Sequence, residues 1–119
     1  MIEHRVYGNV KDISLDQLQK IFKDIKYAHI VLLFGSRANH THTIKSDYDF
    51  AVLAEEREYD FGLRAKLLAD ISEITKLDMR DIDIVDLKKA DKFILNNIKE
   101  NYIILKGDKS EVARVLRQN

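Results

Sequence analysis

The sequence predicts an α+β fold in a single domain over residues 1–119, with helices and strands in the order α-β-β-α-β-α-β-α. Three observations predict this class. Short apolar runs rich in β-branched residues are bounded by glycine or polar residues, as strands are. Longer segments between them repeat their apolar residues at helical spacing. The chain is also long enough for one domain that buries about two thirds of its unfolded surface, but too short for two cores.

The helices are predicted from capping signals and apolar periodicity. The first spans residues 14–26, because Ser14 and Gln17 have the capping-box spacing ahead of an amphipathic run. The second carries an apolar stripe made of Phe61, Leu67, Leu68, Ile71 and Ile74. The third is indicated by four apolar residues at helical spacing, namely Ala90, Phe93, Ile94 and Ile98. Ser110 is expected to cap a short final helix that runs through Leu116.

Four strands are predicted between these helices. Residues 30–34 form one apolar run and residues 49–54 form a second. A polar loop, residues 37–46, separates them. Residues 81–85 alternate charged and apolar side chains, as a half-buried strand does. The last strand is predicted at residues 102–105.

Composition disfavours several functional classes. Lys plus Arg number 20 and Asp plus Glu number 20, so no net field attracts nucleic acid or an anionic membrane, and nucleic acid is not expected as the primary partner. Because the chain has no cysteine, any metal must be held by oxygen or imidazole. The longest apolar run, residues 30–34, is far below the roughly 20 residues that span a bilayer. A cytoplasmic protein without membrane association is therefore expected.

Several carboxylates are predicted to meet at one end of the sheet. Asp47 and Asp49 lie at the start of the second strand, and strand alternation places both on the same face. In the later strand, Asp81 and Asp83 share a face, so either can complete a cluster of three carboxylates. Asp83, in mid-strand, is the better candidate, and Asp86 can instead cap the next helix.

This group of residues suits chemistry on a phosphorylated substrate. Clustered carboxylates repel one another unless a cation neutralises them, and such oxygen ligands favour Mg²⁺ bound to substrate phosphates. Two Mg²⁺ ions about 3.5–4 Å apart can stabilise both the attacking and the leaving oxygen of an in-line displacement. Gly35 allows a triphosphate to approach the backbone, and Ser36 has a hydroxyl and an amide to donate. Arg37 and Lys45 are predicted to bind phosphate, with solvated loop cations as the alternative.

These residues resemble the minimal nucleotidyltransferase (MNT) family of the DNA polymerase beta superfamily. The resemblance rests on Gly35-Ser36-Arg37-Ala38, Asp47-Tyr48-Asp49 and Ile82-Asp83-Ile84-Val85. It covers roughly residues 28–106. It implies the polymerase-beta-like nucleotidyltransferase fold, a mixed sheet of about four strands backed by helices. It also implies two Mg²⁺ ions held by the paired aspartates, ATP as substrate, and Asp83 as a ligand and the base.

The same resemblance implies a function. The family includes antitoxins of HEPN/MNT toxin–antitoxin pairs, which transfer AMP from ATP to a tyrosine of the HEPN toxin. A protein adenylyltransferase with a HEPN toxin as partner is therefore expected. The alternatives are a binding module that neutralises its partner by complex formation, with a vestigial nucleotide site, and a nucleotide sensor that transfers nothing. The sequence leaves open whether the chain forms homo- or hetero-oligomers.

Other residues near the motifs are expected to have ordinary roles. His40 and His42 lie in the polar loop and are assigned no function, because a histidine pair without further ligands is usually plain surface. Tyr48 and Tyr59 are expected to pack against apolar neighbours, with nucleobase stacking as the alternative.

Overall fold

The computed structural model describes residues 11–43, 45–54 and 62–117. The helices are α1 (Leu15–Lys23), α2 (Leu63–Thr75), α3 (Lys92–Glu100) and α4 (Lys109–Arg117). The strands are β1 (Ala28–Phe34), β2 (Tyr48–Ala54), β3 (Ile82–Asp86) and β4 (Tyr102–Lys106). Short 3-10 turns follow β1 and precede β3, at Gly35–Arg37 and Met79–Asp81. Over the described ranges, no helix has the length and apolar character that crossing a membrane requires.

The strands form one mixed sheet in the order β3-β2-β1-β4. β1 is antiparallel to both β2 and β4, whereas β2 and β3 are parallel. A parallel pair needs a crossover connection, and α2 lies in the connection between β2 and β3. The register places Phe34 of β1, Asp49 of β2 and Asp83 of β3 side by side. The predicted mixed sheet of four strands with helices is confirmed.

Helices pack on both faces of the sheet and create two apolar cores. On one face, α1 contributes Phe22, whose ring packs edge-on against Phe50 with the ring centroids 5.1 Å apart. On the other face, Ile98 of α3 and Leu116 of α4 are buried against the sheet. The central strands β1 and β2 contribute side chains to both cores. The turn that follows β1 and the aspartates that start β2 are therefore attached to the most rigid part of the fold.

The two outer strands, β3 and β4, form the edges of the sheet. Along β4, the side chain of Gln19 on α1 donates a hydrogen bond to the Ile104 carbonyl at 3.5 Å. Lys106, the last residue of β4, donates to the Ile25 carbonyl at 2.8 Å, just after α1 ends. The edge at β4 is thus tied to α1 by side chains rather than by another strand.

The start of α1 agrees with the prediction, but its end does not. The Ser14 hydroxyl accepts the Gln17 amide at 3.2 Å, and the Gln17 side chain accepts the Ser14 amide, so the predicted capping box is present. The helix ends at Lys23 rather than at residue 26, because the chain turns there and Ile25 packs into the core.

Two residues predicted to lie on buried apolar stripes are exposed. Ile74 of α2 is 48% exposed and Phe93 of α3 is 78% exposed. On α2, the inward position one turn after Ile71 is taken by Thr75, whose hydroxyl donates to the Ile71 carbonyl at 2.6 Å. On α3, Leu95 faces the sheet and places Phe93 on the outer side. On α2, the inward position that periodicity assigns to an apolar residue is thus occupied by a threonine whose hydroxyl makes a local hydrogen bond.

The caps of the last two helices also differ from the prediction. Asp91 caps α3 by accepting an amide of its first turn at 2.9 Å, whereas Asp86, the predicted cap, ends β3. Asp108 rather than Ser110 accepts an amide of the first turn of α4, at 3.2 Å. Both caps directly precede the first helical residue, where a side-chain oxygen reaches the free amides. Phe61, predicted for the stripe of α2, lies outside the described residues.

We predict opposite outcomes for two phenylalanines. Phe22→Ala should lower the free energy of unfolding by about 3–5 kcal/mol, because Phe22 is fully buried and its removal leaves a cavity. Phe93→Ala should change it by less than about 0.5 kcal/mol, because that side chain is exposed. Urea unfolding of both variants measures the difference. A large loss in Phe93→Ala would show that α3 packs differently from the arrangement described.

Candidate active site

The chain turns sharply where β1 ends. Gly35 has φ of +79°, a conformation that residues with a side chain rarely adopt. A Cβ at this position would lie only 2.3 Å from Oδ2 of Asp49. Besides the access to backbone that the sequence predicts, the glycine therefore provides the space that the Asp49 carboxylate occupies. Ser36 follows directly in the 3-10 turn and is partly exposed.

Asp49 is the most perturbed group of the site. It is partly buried in β2, opposite Phe34 of β1 on one side and Asp83 of β3 on the other. Burial, together with the smaller effects of the Asp83 and Asp47 charges, raises the pKa of the Asp49 carboxyl from its usual 3.8 to about 6. Asp47 and Asp83 are therefore both close enough to act on the Asp49 carboxyl.

Asp47 and Asp83 lie on either side of Asp49 and are both exposed. Asp47 precedes the first residue of β2. Asp83 pairs with Asp49 in the parallel register of β2 and β3. The rival candidate, Asp81, is not in the strand: it belongs to the 3-10 turn, is 4% exposed, and its amide donates to the Asp78 carbonyl at 2.9 Å. The geometry thus favours Asp83 as the third carboxylate.

Sequence reasoning missed Arg64 in the first turn of α2. Its guanidinium donates to Oδ1 of Asp83 at 3.1 Å and to the Ile84 carbonyl at 2.9 Å. Both charged side chains are more than half exposed, at 63% for Arg64 and 53% for Asp83. A cation in the first turn of a helix is unfavourable for the helix dipole. That signal could have indicated an anionic neighbour for Arg64.

The residues predicted to bind phosphate are in three different environments. Ser36 is beside the carboxylates, directly after Gly35. Lys45 is exposed in the polar loop, where its amide donates to the Thr43 hydroxyl at 3.1 Å. Arg37 is 6% exposed, so the alternative of a solvated loop cation is wrong for it. Phosphate binding by these residues stays a prediction, and the contacts of Arg37 indicate a different role.

The residues expected to have ordinary roles do so where the structure describes them. Tyr48 is 1% exposed and stacks on Phe50 with the ring centroids 6.0 Å apart, so it packs in the core. His40 and His42 are both exposed. Tyr59 lies outside the described residues.

The donor set fits Mg²⁺, although it is not arranged as a finished metal site. Across residues 11–43, 45–54 and 62–117, no group of three His, Cys, Asp or Glu side chains is positioned to hold a metal ion. The Asp83 carboxylate is paired with Arg64. The three carboxylates nevertheless offer only oxygen ligands, as Mg²⁺ prefers. The pKa of Asp49 is raised by burial and also by the negative charges of Asp83 and Asp47, which a cation would neutralise.

A glycine-serine turn beside paired carboxylates, with a third carboxylate on the adjacent parallel strand, defines a class of site suited to nucleotidyl transfer. The comparison with protein families agrees. The model described as "Polymerase beta, Nucleotidyltransferase" matches residues 16–111. The chain belongs to this polymerase beta nucleotidyltransferase family, and the resemblance drawn from the sequence motifs is confirmed.

Two similar proteins are a protein adenylyltransferase and a toxin–antitoxin. Protein adenylyltransferase MntA of Aphanizomenon flos-aquae (strain 2012/KM1/D3) is 33% identical over 104 residues, which are 82% of this chain and 67% of that protein. A crystal structure of a toxin–antitoxin with AMP-PNP matches with a TM-score of 0.70 and 25% identity, over 87% of this chain and 82% of that chain.

A second similar structure is the tri-AMPylated Shewanella oneidensis HEPN toxin in complex with MNT antitoxin. It matches with a TM-score of 0.61 and 23% identity, over 86% of this chain and 76% of that chain. At this identity the likeness shows the fold alone.

We predict that Gly35→Ala destabilises the protein and displaces Asp49. The left-handed conformation alone costs a residue with a side chain about 1–2 kcal/mol, and the added methyl would overlap the Asp49 carboxylate. Gly62→Ala is the matched control, since a Cβ there meets nothing within 4 Å. Urea unfolding gives both free energies. Equal effects of the two substitutions would contradict the close contact between Gly35 and Asp49.

We predict that Asp49→Asn stabilises the protein near neutral pH. Because the pKa of Asp49 in the folded protein, about 6, lies above its usual 3.8, the folded state binds this proton more tightly. The stability of the wild type therefore falls as pH rises from about 4 to about 6. The variant escapes this loss and should be more stable at pH 7 by about 0.5–2 kcal/mol after discounting for solvent screening.

The measurement is urea unfolding of wild type and Asp49→Asn with a chelator present, at pH 4 and pH 7. The difference should be small at pH 4, where the carboxyl is protonated in the folded wild type. Asp47→Asn serves as the control, and it should stabilise less because Asp47 is exposed. An Asp49→Asn variant less stable than the wild type at pH 7 would mean that Asp49 forms a structural hydrogen bond.

Proposed function

We propose that this nucleotidyltransferase is a Mg²⁺-dependent protein adenylyltransferase. It transfers AMP from ATP to a tyrosine hydroxyl of a partner HEPN toxin, and it thereby acts as the antitoxin. The observation that carries the proposal is the Asp49 carboxylate, partly buried against Gly35 and flanked by Asp47 and Asp83. The 33% identity to a protein adenylyltransferase supports transfer to a protein, and the similar toxin–antitoxin with AMP-PNP supports ATP and a toxin partner.

Each carboxylate has an environment that suits one part of this reaction. Asp49 and Asp47 would hold Mg²⁺. Asp83 would join them if its carboxylate released the Arg64 guanidinium and bound the metal instead. Bound Mg²⁺ would neutralise the phosphates and stabilise the attacking and leaving oxygens. The Gly35 turn offers the Ser36 hydroxyl and amide to the triphosphate, and Lys45 on the exposed loop adds a positive charge.

The transfer itself is an in-line displacement at the α-phosphorus of ATP. The acceptor hydroxyl oxygen forms a bond to this phosphorus, the bond to the bridging oxygen of the β-phosphate breaks, and pyrophosphate leaves. Asp83 takes the hydroxyl proton. Its exposure at the edge of the sheet suits this role, because a tyrosine on the surface of another protein can reach it.

The experiment is to identify the product of the adjacent gene, to incubate both proteins with Mg-ATP, and to measure the intact mass of the partner. The partner should gain AMP, and fragmentation should locate it on a tyrosine. Asp49→Ala should abolish transfer. Asp83→Asn should retain Mg-ATP binding by calorimetry but slow transfer at least about 10²-fold, because it removes the positioned base.

Two outcomes would contradict the proposal. The first is a tight complex that suppresses toxicity while the partner gains no mass. If the Asp49→Ala variant suppresses toxicity equally well, the protein neutralises its partner by binding alone. If Asp81→Asn slows transfer without unfolding the protein while Asp83→Asn behaves as wild type, the third carboxylate is Asp81.

A further inference from the structure

A buried positive charge lies beneath the active-site turn. The side chain of Arg37 is 4% exposed. A guanidinium that is removed from water is tolerated only when its donors are paired. Those of Arg37 bond to the Asp12 carboxylate at 2.9 Å, to the Tyr48 hydroxyl at 3.2 Å and to the Ser46 carbonyl at 3.0 Å. The sequence places Arg37 in a polar loop, but the protein uses it as an internal connector.

The bond to Ser46 joins the two halves of the active-site motif. Arg37 directly follows Ser36 of the Gly-Ser turn, and Ser46 directly precedes Asp47. The Arg37 side chain therefore closes the loop between them at its base. Strand pairing already holds Asp49 beside the turn, because Phe34 pairs with Asp49. Asp47 precedes β2, so its position relative to the turn depends on the loop and on this bond.

The position of the guanidinium argues against direct contact with substrate phosphates. It lies over the Tyr48 ring, with Cζ 4.2 Å from the ring centroid. Tyr48 packs in the core on the α1 and α2 face of the sheet. Because successive residues of a strand point to opposite faces, Asp49 points to the other face. The Arg37 charge and the carboxylates are thus separated by the sheet.

Tyr48 is fixed in turn by the segment that precedes α1. Its hydroxyl accepts the Ile13 amide at 2.9 Å and donates to the Lys11 carbonyl at 3.1 Å. With the bond from Arg37, this one hydroxyl makes three hydrogen bonds. The tyrosine between the two aspartates of the motif is therefore held at both its ring and its hydroxyl.

We propose that Arg37 is a positioning residue: it sets the distance between the Gly-Ser turn and Asp47 by holding the Ser46 carbonyl and the Tyr48 hydroxyl at the start of β2. Its contribution to transfer rests on the proposed function. Its effect on the loop does not, and the two can be measured separately. Loss of Arg37 should displace Asp47 relative to Asp49 and to bound ATP, which lowers the rate of transfer more than the affinity for ATP.

The variants are Arg37→Gln, Arg37→Lys and Tyr48→Phe. Tyr48→Phe removes only the hydroxyl, so it tests the same connection in a protein that keeps its core ring. Phe22→Leu is the matched control, because it weakens the same core through Phe50 and leaves the contacts of Arg37 intact. All variants are compared at a temperature at which each is fully folded.

Two readouts are needed. The first is kcat and KM for ATP in the transfer assay. The second is hydrogen exchange of the Thr41, Thr43 and Ser46 amides, which needs no activity. These amides donate within the loop, to the Ser36 carbonyl at 3.0 Å, the Ser46 hydroxyl at 2.9 Å and the Thr43 carbonyl at 3.1 Å.

For Arg37→Gln we expect kcat to fall at least about 10-fold with KM for ATP changed less than about 3-fold, since misplacement of reacting groups affects the transition state. The loop amides should exchange at least about 10-fold faster, with a smaller change in Tyr48→Phe and partial recovery in Arg37→Lys.

Two results would overturn the proposal. A rise of about 10-fold in KM for ATP, with kcat and loop exchange unchanged, would make Arg37 a phosphate ligand. Changes no larger than those of Phe22→Leu would make it an ordinary part of the core. If the wild type transfers no AMP, the proposed function fails, while the exchange data still decide whether Arg37 holds the loop.

Discussion

The Asp49 carboxylate is pressed against the backbone of Gly35, partly out of water and next to two other carboxylates. Its raised pKa expresses an unfavourable interaction that the rest of the fold must offset. The two central strands do this, since β1 supplies the turn, β2 supplies the aspartate, and both are anchored in apolar cores on the two faces. The stability contributed by the core thus offsets an unfavourable charge arrangement that a bound cation would relieve.

The third carboxylate depends on a different part of the structure. Asp83 reaches Asp49 because β2 and β3 are parallel and in register, and that pairing requires the crossover through α2. The same helix carries Arg64, which neutralises Asp83 in the absence of a metal. A single connection therefore delivers both the third carboxylate and its counter-ion. Asp83 is more exposed to solvent than Asp49 because β3 is an edge strand, whereas β2 lies between two other strands.

Local sequence patterns predicted the features that depend on one segment. Strand alternation was enough to separate Asp49 from Phe50, and the capping box was enough to start α1. Asp81 and Asp83 share the same alternation, so the choice between them depended on where β3 begins, which the 3-10 turn before it decides. Strand alternation therefore identified Asp81 and Asp83 as candidates, but it could not by itself decide which of them is the third carboxylate.

The remaining features depend on residues far apart in the chain. The sequence predicts Arg37 as a phosphate ligand or a solvated loop cation. It does not reveal the buried contacts of Arg37, because other segments bring Asp12 and Tyr48 to it. Arg64, in the first turn of α2, pairs with Asp83 of β3, a contact that no spacing rule contains. Periodicity also cannot tell which of two neighbouring residues faces the core, and Ile74 is exposed because Thr75 takes the inward position.

The two edges of the sheet have a consequence for how this protein meets other chains. An edge strand offers unpaired carbonyls and amides to which a foreign strand can add. Here Arg64 bonds to the Ile84 carbonyl of β3, and Gln19 bonds to the Ile104 carbonyl of β4. A charged side chain on one edge and a polar one on the other oppose sheet extension. Each bond occupies a carbonyl that an added strand would use, so both edges are less open to strand addition at these positions.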